Sequence, residues 1–198
     1  MPATLCYLSL SSNGLWGPLK WAPPLHLVYL NLSMNKFSGP LPNSLFRSSI
    51  SSMYLQRNYF SGKVPPPPSS SLYESYGPGS TIDLGYNFLF GEIPDFLAGA
   101  ETLFLNNNHF TGVVPKSYAR NVFAGTTRTL FLQHNYIMSF PMEKSRETVL
   151  PDGVVLCLSY NCMVPPAVGI TTCPANAGGS ISRPSRQCSV FNGGNSMG

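Results

Sequence analysis

The stretch Leu27-Val28-Tyr29-Leu30-Asn31-Leu32-Ser33-Met34-Asn35-Lys36-Phe37-Ser38-Gly39-Pro40-Leu41-Pro42 decides the fold. Leu30 and Leu32 stand two apart, the spacing of side chains on one face of a strand. Asn35 closes that apolar pair, and Phe37 opens a second signature ending in Gly-Pro-Leu-Pro. The glycine and prolines oppose a helix immediately after the pair, because both residue types break helices. The segment reads as a short strand, a turn and an extended return.

The pattern recurs on both sides. Upstream stand Leu8, Leu10 and Asn13. Downstream come Met53, Leu55 and Asn58, then Ile82, Leu84 and Asn87, then Leu103, Leu105 and Asn108. Leu130, Leu132 and Asn135 follow, and Leu156, Leu158 and Asn161 end the series. The Asn-to-Asn steps are 22, 23, 29, 21, 27 and 26 residues, a range typical of one class of solenoid repeat. The second signature returns as Phe60-Ser61-Gly62-Lys63-Val64-Pro65, Leu89-Phe90-Gly91-Glu92-Ile93-Pro94 and Phe110-Thr111-Gly112-Val113-Val114-Pro115, then decays. A coil this small cannot bury its own apolar face, so successive strands must stack into a parallel sheet. The pattern predicts strands centred near Leu8, Leu30, Leu55, Leu84, Leu105, Leu132 and Leu158. Each repeated Asn carries two amide donors and an acceptor, suited to the backbone groups stranded where the chain turns inward.

Composition agrees. Charged residues are 10% of the 198, against about 25% for an average domain. Glycine and proline number 18 and 19, which excludes an all-helical protein. The net charge of +4 is scattered without a run of basic neighbours, unlike the clustered charge of nucleic-acid binders, so no nucleic-acid partner is expected. No apolar stretch reaches the roughly 18 residues of a membrane span, and the N-terminus has no visible signal peptide.

Over roughly residues 5–165 these repeats resemble the plant-type subclass of the leucine-rich repeat family, with its LxxLxLxxNxLxGxIP pattern. Similar repeats occur in plant receptor-kinase ectodomains, cell-wall polygalacturonase inhibitors and protist surface proteins. The resemblance implies an α/β-type solenoid of about seven coils, with one parallel sheet on the concave face and few or no regular helices. Residues 1–165 would form the solenoid, and residues 166–198 a C-terminal cap and flexible tail. The implied function is binding of a protein, peptide or glycan by a secreted or cell-surface protein. The alternative is an intracellular scaffold. The chain opens almost inside its first strand, whereas such proteins normally carry an N-terminal cap, so a longer parent protein is expected.

Two segments stretch the period. Residues 65–79 include Pro65-Pro66-Pro67-Pro68 and read as a solvated insertion, with an SH3-like partner as the alternative. Glu143-Lys144-Ser145-Arg146-Glu147 reads as a short helix or exposed loop.

The five cysteines show no CxxC spacing, so no metal site is expected. Cys162, Cys173 and Cys188, with Cys157 pointing outward on the last strand, resemble the disulfide-stapled cap of extracellular relatives. Cys173–Cys188 is the preferred pair and Cys162–Cys173 the second; the sequence leaves the pairing open. Cys6 reads as a free, core-like thiol. His109 follows its Asn and His134 precedes one, on different edges of neighbouring coils. No Ser/His/Asp constellation or phosphate-cradling loop appears; neither catalysis nor a cofactor is expected. Asn31-Leu32-Ser33 is a formal glycosylation sequon on a predicted strand.

The outward strand positions carry the candidate ligand site. Tyr29, Tyr54, Arg57, Asp83 and Tyr86 belong to it, followed by Phe104, Asn106, Phe131, Gln133 and His134. Aromatics set beside Arg, Gln and Asn resemble an interface patch. Tyr54, Phe104 and Phe131 are expected on one accessible face.

Overall fold

The computed structural model describes residues 4–47, 49–68, 76–142, 149–164, 172–174 and 181–192. Seven short strands stack in chain order into a parallel sheet. They are β1 (Tyr7–Ser9), β3 (Tyr29–Asn31), β5 (Ser52–Tyr54), β7 (Thr81–Asp83), β9 (Thr102–Phe104), β11 (Thr129–Phe131) and β13 (Val155–Cys157). Their central residues pair in register, Leu8 with Leu30 and Leu130 with Leu156 at the two ends. In the last five coils the strand centre lies two residues before the expected one, on the first inward side chain of the pair rather than the second.

The second signature is more than a return segment. It forms a further parallel sheet of β2 (Trp16–Pro18), β4 (Lys36–Pro40), β6 (Tyr59–Gly62), β8 (Phe88–Glu92), β10 (His109–Val113) and β12 (Tyr136–Ser139). The concave sheet is therefore joined by a flanking one. Phe37, Phe60, Leu89, Phe110 and Ile137 on this flank point inward and are buried with Leu30, Ile82, Leu103 and Leu130 in the core. Outward, Tyr59, Phe88, His109 and Tyr136 stack at 6.1, 6.0 and 5.8 Å between ring centroids. His109 is thus half-buried between two rings, and that burial lowers its pKa.

The asparagines bind the coils together. The Asn108 amide donates to Leu84 O of the preceding coil at 2.9 Å and to Leu105 O of its own at 3.2 Å. Its Oδ1 accepts Leu89 N–H at 3.0 Å. Asn35, Asn58, Asn87, Asn135 and Asn161 make the same reach to the coil before them. The residue before each Asn is left-handed: Ser12, Met34, Arg57, Tyr86, Asn107, His134 and Tyr160 have φ from 55° to 58°. That geometry costs an ordinary residue about 1–2 kcal/mol. It aims these seven side chains at one rim of the concave sheet.

The 27-residue step holds α1 (Lys116–Phe123), an eight-residue helix that buries Tyr118, Ala119 and Val122. The 3₁₀ turns Asn43–Leu45 and Asp95–Leu97 occupy the corresponding side of other coils. A second helix, α2 (Ser185–Asn192), lies near the C-terminus. Residues 69–75 of the Pro-rich segment, Glu143–Glu147, and residues 165–171, 175–180 and 193–198 lie outside the described residues.

The cysteine expectations need correction. The pairs are Cys157–Cys173 and Cys162–Cys188, with Cα separations of 4.5 and 5.7 Å. Neither Cys173–Cys188 nor Cys162–Cys173 forms. Residues 172–174 lie along the last strand, where Thr172 N–H donates to Leu156 O at 2.8 Å. That placement covers Cys157, which is fully buried despite its outward position. Cys6 is free, as expected, but exposed rather than core-like.

Candidate functional site on the concave sheet

The middle outward column runs Ser9, Asn31, Tyr54, Asp83, Phe104, Phe131 and Cys157 along the sheet. Asp83 therefore pairs in register with Tyr54 on one side and Phe104 on the other. Tyr54 continues into a separate ring stack, 5.6 Å from Tyr29 and onward to Tyr7 at 6.1 Å. Phe104 meets Phe131 edge-on at 5.1 Å. Tyr54, Phe104 and Phe131 are all half-buried, so the face they share is accessible but contains an acidic break.

An open depression of about 440 Å³ forms at that break. Asp83, Phe104 and Phe131 line it from the middle column. Gln56, Asn106 and Gln133 line it from the next column, and Arg57, Tyr86, Asn107 and His134 from the left-handed rim. Pro174, from the segment stapled by Cys173, contributes a further lining residue. Eight of the ten residues expected at the site meet here; Tyr29 and Tyr54 lie outside, in the tyrosine stack. Gln56 and Asn107 follow the same columns as the expected residues. Pro174 carries no repeat signal and depends on the fold of the cap.

Local chemistry sets the shape. Position 85 carries glycine where neighbouring coils carry Gln56, Asn106 and Gln133. A Cβ there would stand 3.0 Å from Asn106 Oδ1 and 3.1 Å from Asp83 Oδ1. The Asp83 carboxylate folds back to accept Gly85 N–H at 2.9 Å. Arg57 does not reach this carboxylate as an ion pair, since Arg128–Glu101 is the ion pair among the described residues. Its guanidinium lies over the Tyr86 ring, 4.5 Å from the centroid. His134 packs against Tyr160 at 5.0 Å. Burial raises the Asp83 carboxyl to about 6, against the opposing pull of Gly85 N–H and Arg57. Asn106 and Gln133 point outward yet are only 6% and 5% exposed, and the Oε1 atoms of Gln56 and Gln133 are buried without a hydrogen-bond partner.

Asn31 of the sequon is engaged on β3. Its Oδ1 accepts Ser33 N–H at 3.0 Å, and its amide donates to the Tyr29 hydroxyl at 3.3 Å.

The Leucine Rich Repeat family profile matches residues 26–48, the stretch that opened the sequence reading. No curated protein matches the chain. Among solved structures, the Arabidopsis receptor kinase HAESA, crystallised with the peptide hormone IDA and the co-receptor SERK1, is 28% identical with a TM-score of 0.57. The match covers 80% of this chain and 26% of that one. A plant ice-binding protein is 25% identical with a TM-score of 0.57, over 81% of this chain and 50% of its own. The plant peptide hormone receptor RGFR1 in complex with RGF2, 23% identical with a TM-score of 0.55 over 79% of this chain and 24% of that one, shares the fold. The chain thus spans from about a quarter to half the length of these structures. With seven coils in register, the Asn ladder and a flanking second sheet, the chain has the parallel-sheet solenoid fold of these leucine-rich repeat structures and resembles their plant-type subclass.

Proposed function

We propose that the chain is the ligand-binding portion of a secreted or cell-surface leucine-rich repeat protein, and that its concave depression takes a peptide. The observation that carries this reading is the depression itself. Rings, amides and charges converge there on one accessible face, whereas the adjacent tyrosines pack on one another. The likeness to a receptor ectodomain crystallised with a peptide hormone supports peptide over glycan. Two disulfides support an oxidising compartment.

A random nonapeptide phage library, selected on the immobilised protein, tests the binding reading. Selected peptides should bind Phe104→Ala or Phe131→Ala at least about tenfold more weakly, as loss of a buried aromatic anchor does. Peptides that bind both variants as well as the parent would place recognition elsewhere. The compartment is tested separately by counting thiols in protein isolated from its native source under alkylating conditions. One free thiol, from Cys6, is expected; five would return the intracellular scaffold.

A further inference from the structure

The depression holds acceptors that its own donors leave unsatisfied among the described residues. Among the described residues Asp83 accepts one hydrogen bond, from Gly85 N–H through Oδ1, and makes no ion pair. Gln133, 5% exposed, lines the same depression with Oε1 unpartnered among the described residues, and Gln56 repeats this in the same column. Two coils separate Gln56 from Gln133 along that column, and at Gly85 between them Asn106 Oδ1 and Asp83 Oδ1 close over the backbone. The nearest cation, Arg57, is held over Tyr86 instead. Buried acceptors without donors are costly, so an occupant that supplies several donors gains more here than at an ordinary surface. Phe104 and Phe131 add rings, whose faces attract cations. Resting on the peptide reading above, we propose that the part of the depression beside Asp83 and Phe104 is a subsite for one cationic side chain of the ligand, a guanidinium or an ammonium, with Asp83 as its counter-ion.

A guanidinium brings five donors and an ammonium three. Either replaces the water that Asp83 has partly lost, and the burial that raises its carboxyl pKa is a cost that a cationic partner offsets. The charged group nearest it is Arg57 on the rim, and the His134 ring lines the same depression. The positive charge of Arg57 nearby favours a single cationic group over a basic run.

The test uses defined probes on the folded chain, followed by carboxyl carbon NMR of Asp83. Butylguanidinium and butylammonium should each lower the Asp83 pKa and shift Phe104 and Phe131 resonances saturably; butanol and butyrate should not. The two cations distinguish an arginine-like from a lysine-like occupant. Asp83→Asn is near-isosteric and keeps an acceptor for Gly85 N–H, and its fold is checked by circular dichroism. It should weaken the cation probes at least about tenfold, as removing the charge from a charge-assisted hydrogen bond does. Equal binding of cation and butanol, or equal binding to Asp83→Asn, overturns the subsite. Library peptides that depend on Phe104 but lack Lys and Arg overturn it while leaving the peptide reading intact. Cation binding with no peptide selected does the reverse.

Discussion

The two ends of the solenoid differ in how their outermost coil is covered. At the first coil Leu8 is half-exposed on β1, Tyr7 is 69% exposed, and Trp16 on the flanking sheet is 83% exposed. At the last coil Leu156 and Cys157 on β13 are fully buried. The difference begins with hydrogen bonds. Asn13 donates to Ser11 O within its own coil, and no backbone group of another coil receives it. Asn161 donates to Leu132 O in the coil before it and to Leu158 O in its own. Beyond it the cap imitates an eighth coil. Thr172 pairs with Leu156, Tyr160 N–H donates to Ile181 O at 2.6 Å, and Arg183 N–H donates to Asn161 O at 2.8 Å. The Arg183 guanidinium then closes the flank ladder, 3.9 Å from the Tyr136 centroid. A solenoid end is completed by whatever supplies the missing neighbour's donors and apolar cover, and here a stapled strap with few large side chains does so.

The staples are the largest lever on this contrast. They close loops of 16 and 26 residues, each worth about 3 kcal/mol in the chain-entropy account. Cys162→Ser with Cys188→Ser should lower the urea midpoint accordingly, and hydrogen exchange should quicken at β13 and β11 while β1 is unchanged. Uniform loss along the sheet would mean that the coils unfold as one unit and that the cap has no local role.

Interior and terminal asparagines give the next contrast. Asn108→Ala leaves the buried Leu89 N–H without its acceptor and removes one of the two amide donors on each of Leu84 O and Leu105 O, a loss of about 1–3 kcal/mol. Asn13→Ala removes one exposed bond and should cost under about 0.5 kcal/mol, as surface changes do. Urea titration of both variants checks this, and equal losses would contradict the ladder as the source of cohesion between coils.

Much of this was legible in the sequence, and the failures have physical causes. The Leu and Asn positions declare the concave sheet because burial and turn geometry repeat in every coil. The flanking sheet is silent, since Phe37-Ser38-Gly39-Pro40 looks like a turn until neighbouring coils pair it. Helix α1 hides in a step of uneven length that repeat counting alone does not interpret. The candidate site columns follow from strand alternation, but their burial does not. Asn106 and Gln133 stand at outward positions and are nonetheless buried. Disulfide pairing failed because it depends on how residues 172–174 lie against β13, and no periodicity governs that strap.

The acidic break in the concave face gives a smaller effect, away from both ends. Folding raises the Asp83 pKa to about 6 from an unfolded value of about 3.9. The folded state therefore holds more proton than the unfolded chain between those values, and stability falls as pH rises through that window. Asp83→Asn should be stabilising by on the order of 1–2 kcal/mol at pH 7 and nearly neutral below pH 4. Thermal melts across the window should converge at the acid end. A constant difference between variant and parent would assign the effect to packing instead of ionisation.

The smallest effect uses one substitution at both ends. Ser12 and Tyr160 hold the same left-handed position, at φ 57° and 55°. Asn tolerates that region better than most residues. Ser12 is exposed, with its hydroxyl 3.6 Å from Met34 Sδ, so Ser12→Asn gives up little and should stabilise by about 0.5 kcal/mol or less. Tyr160 gains the same backbone relief but lies 5.0 Å from the His134 ring and has the Arg183 guanidinium 4.6 Å from its centroid. Losing a ring pair costs about 0.5–1.5 kcal/mol, and losing a cation–π contact about 0.5–1 kcal/mol more. Tyr160→Asn should therefore destabilise while Ser12→Asn does not. Paired denaturation curves at one protein concentration read the sign directly. Stabilisation by both would mean that the Arg183 strap rests on its backbone bonds alone and that the rings beneath it contribute nothing.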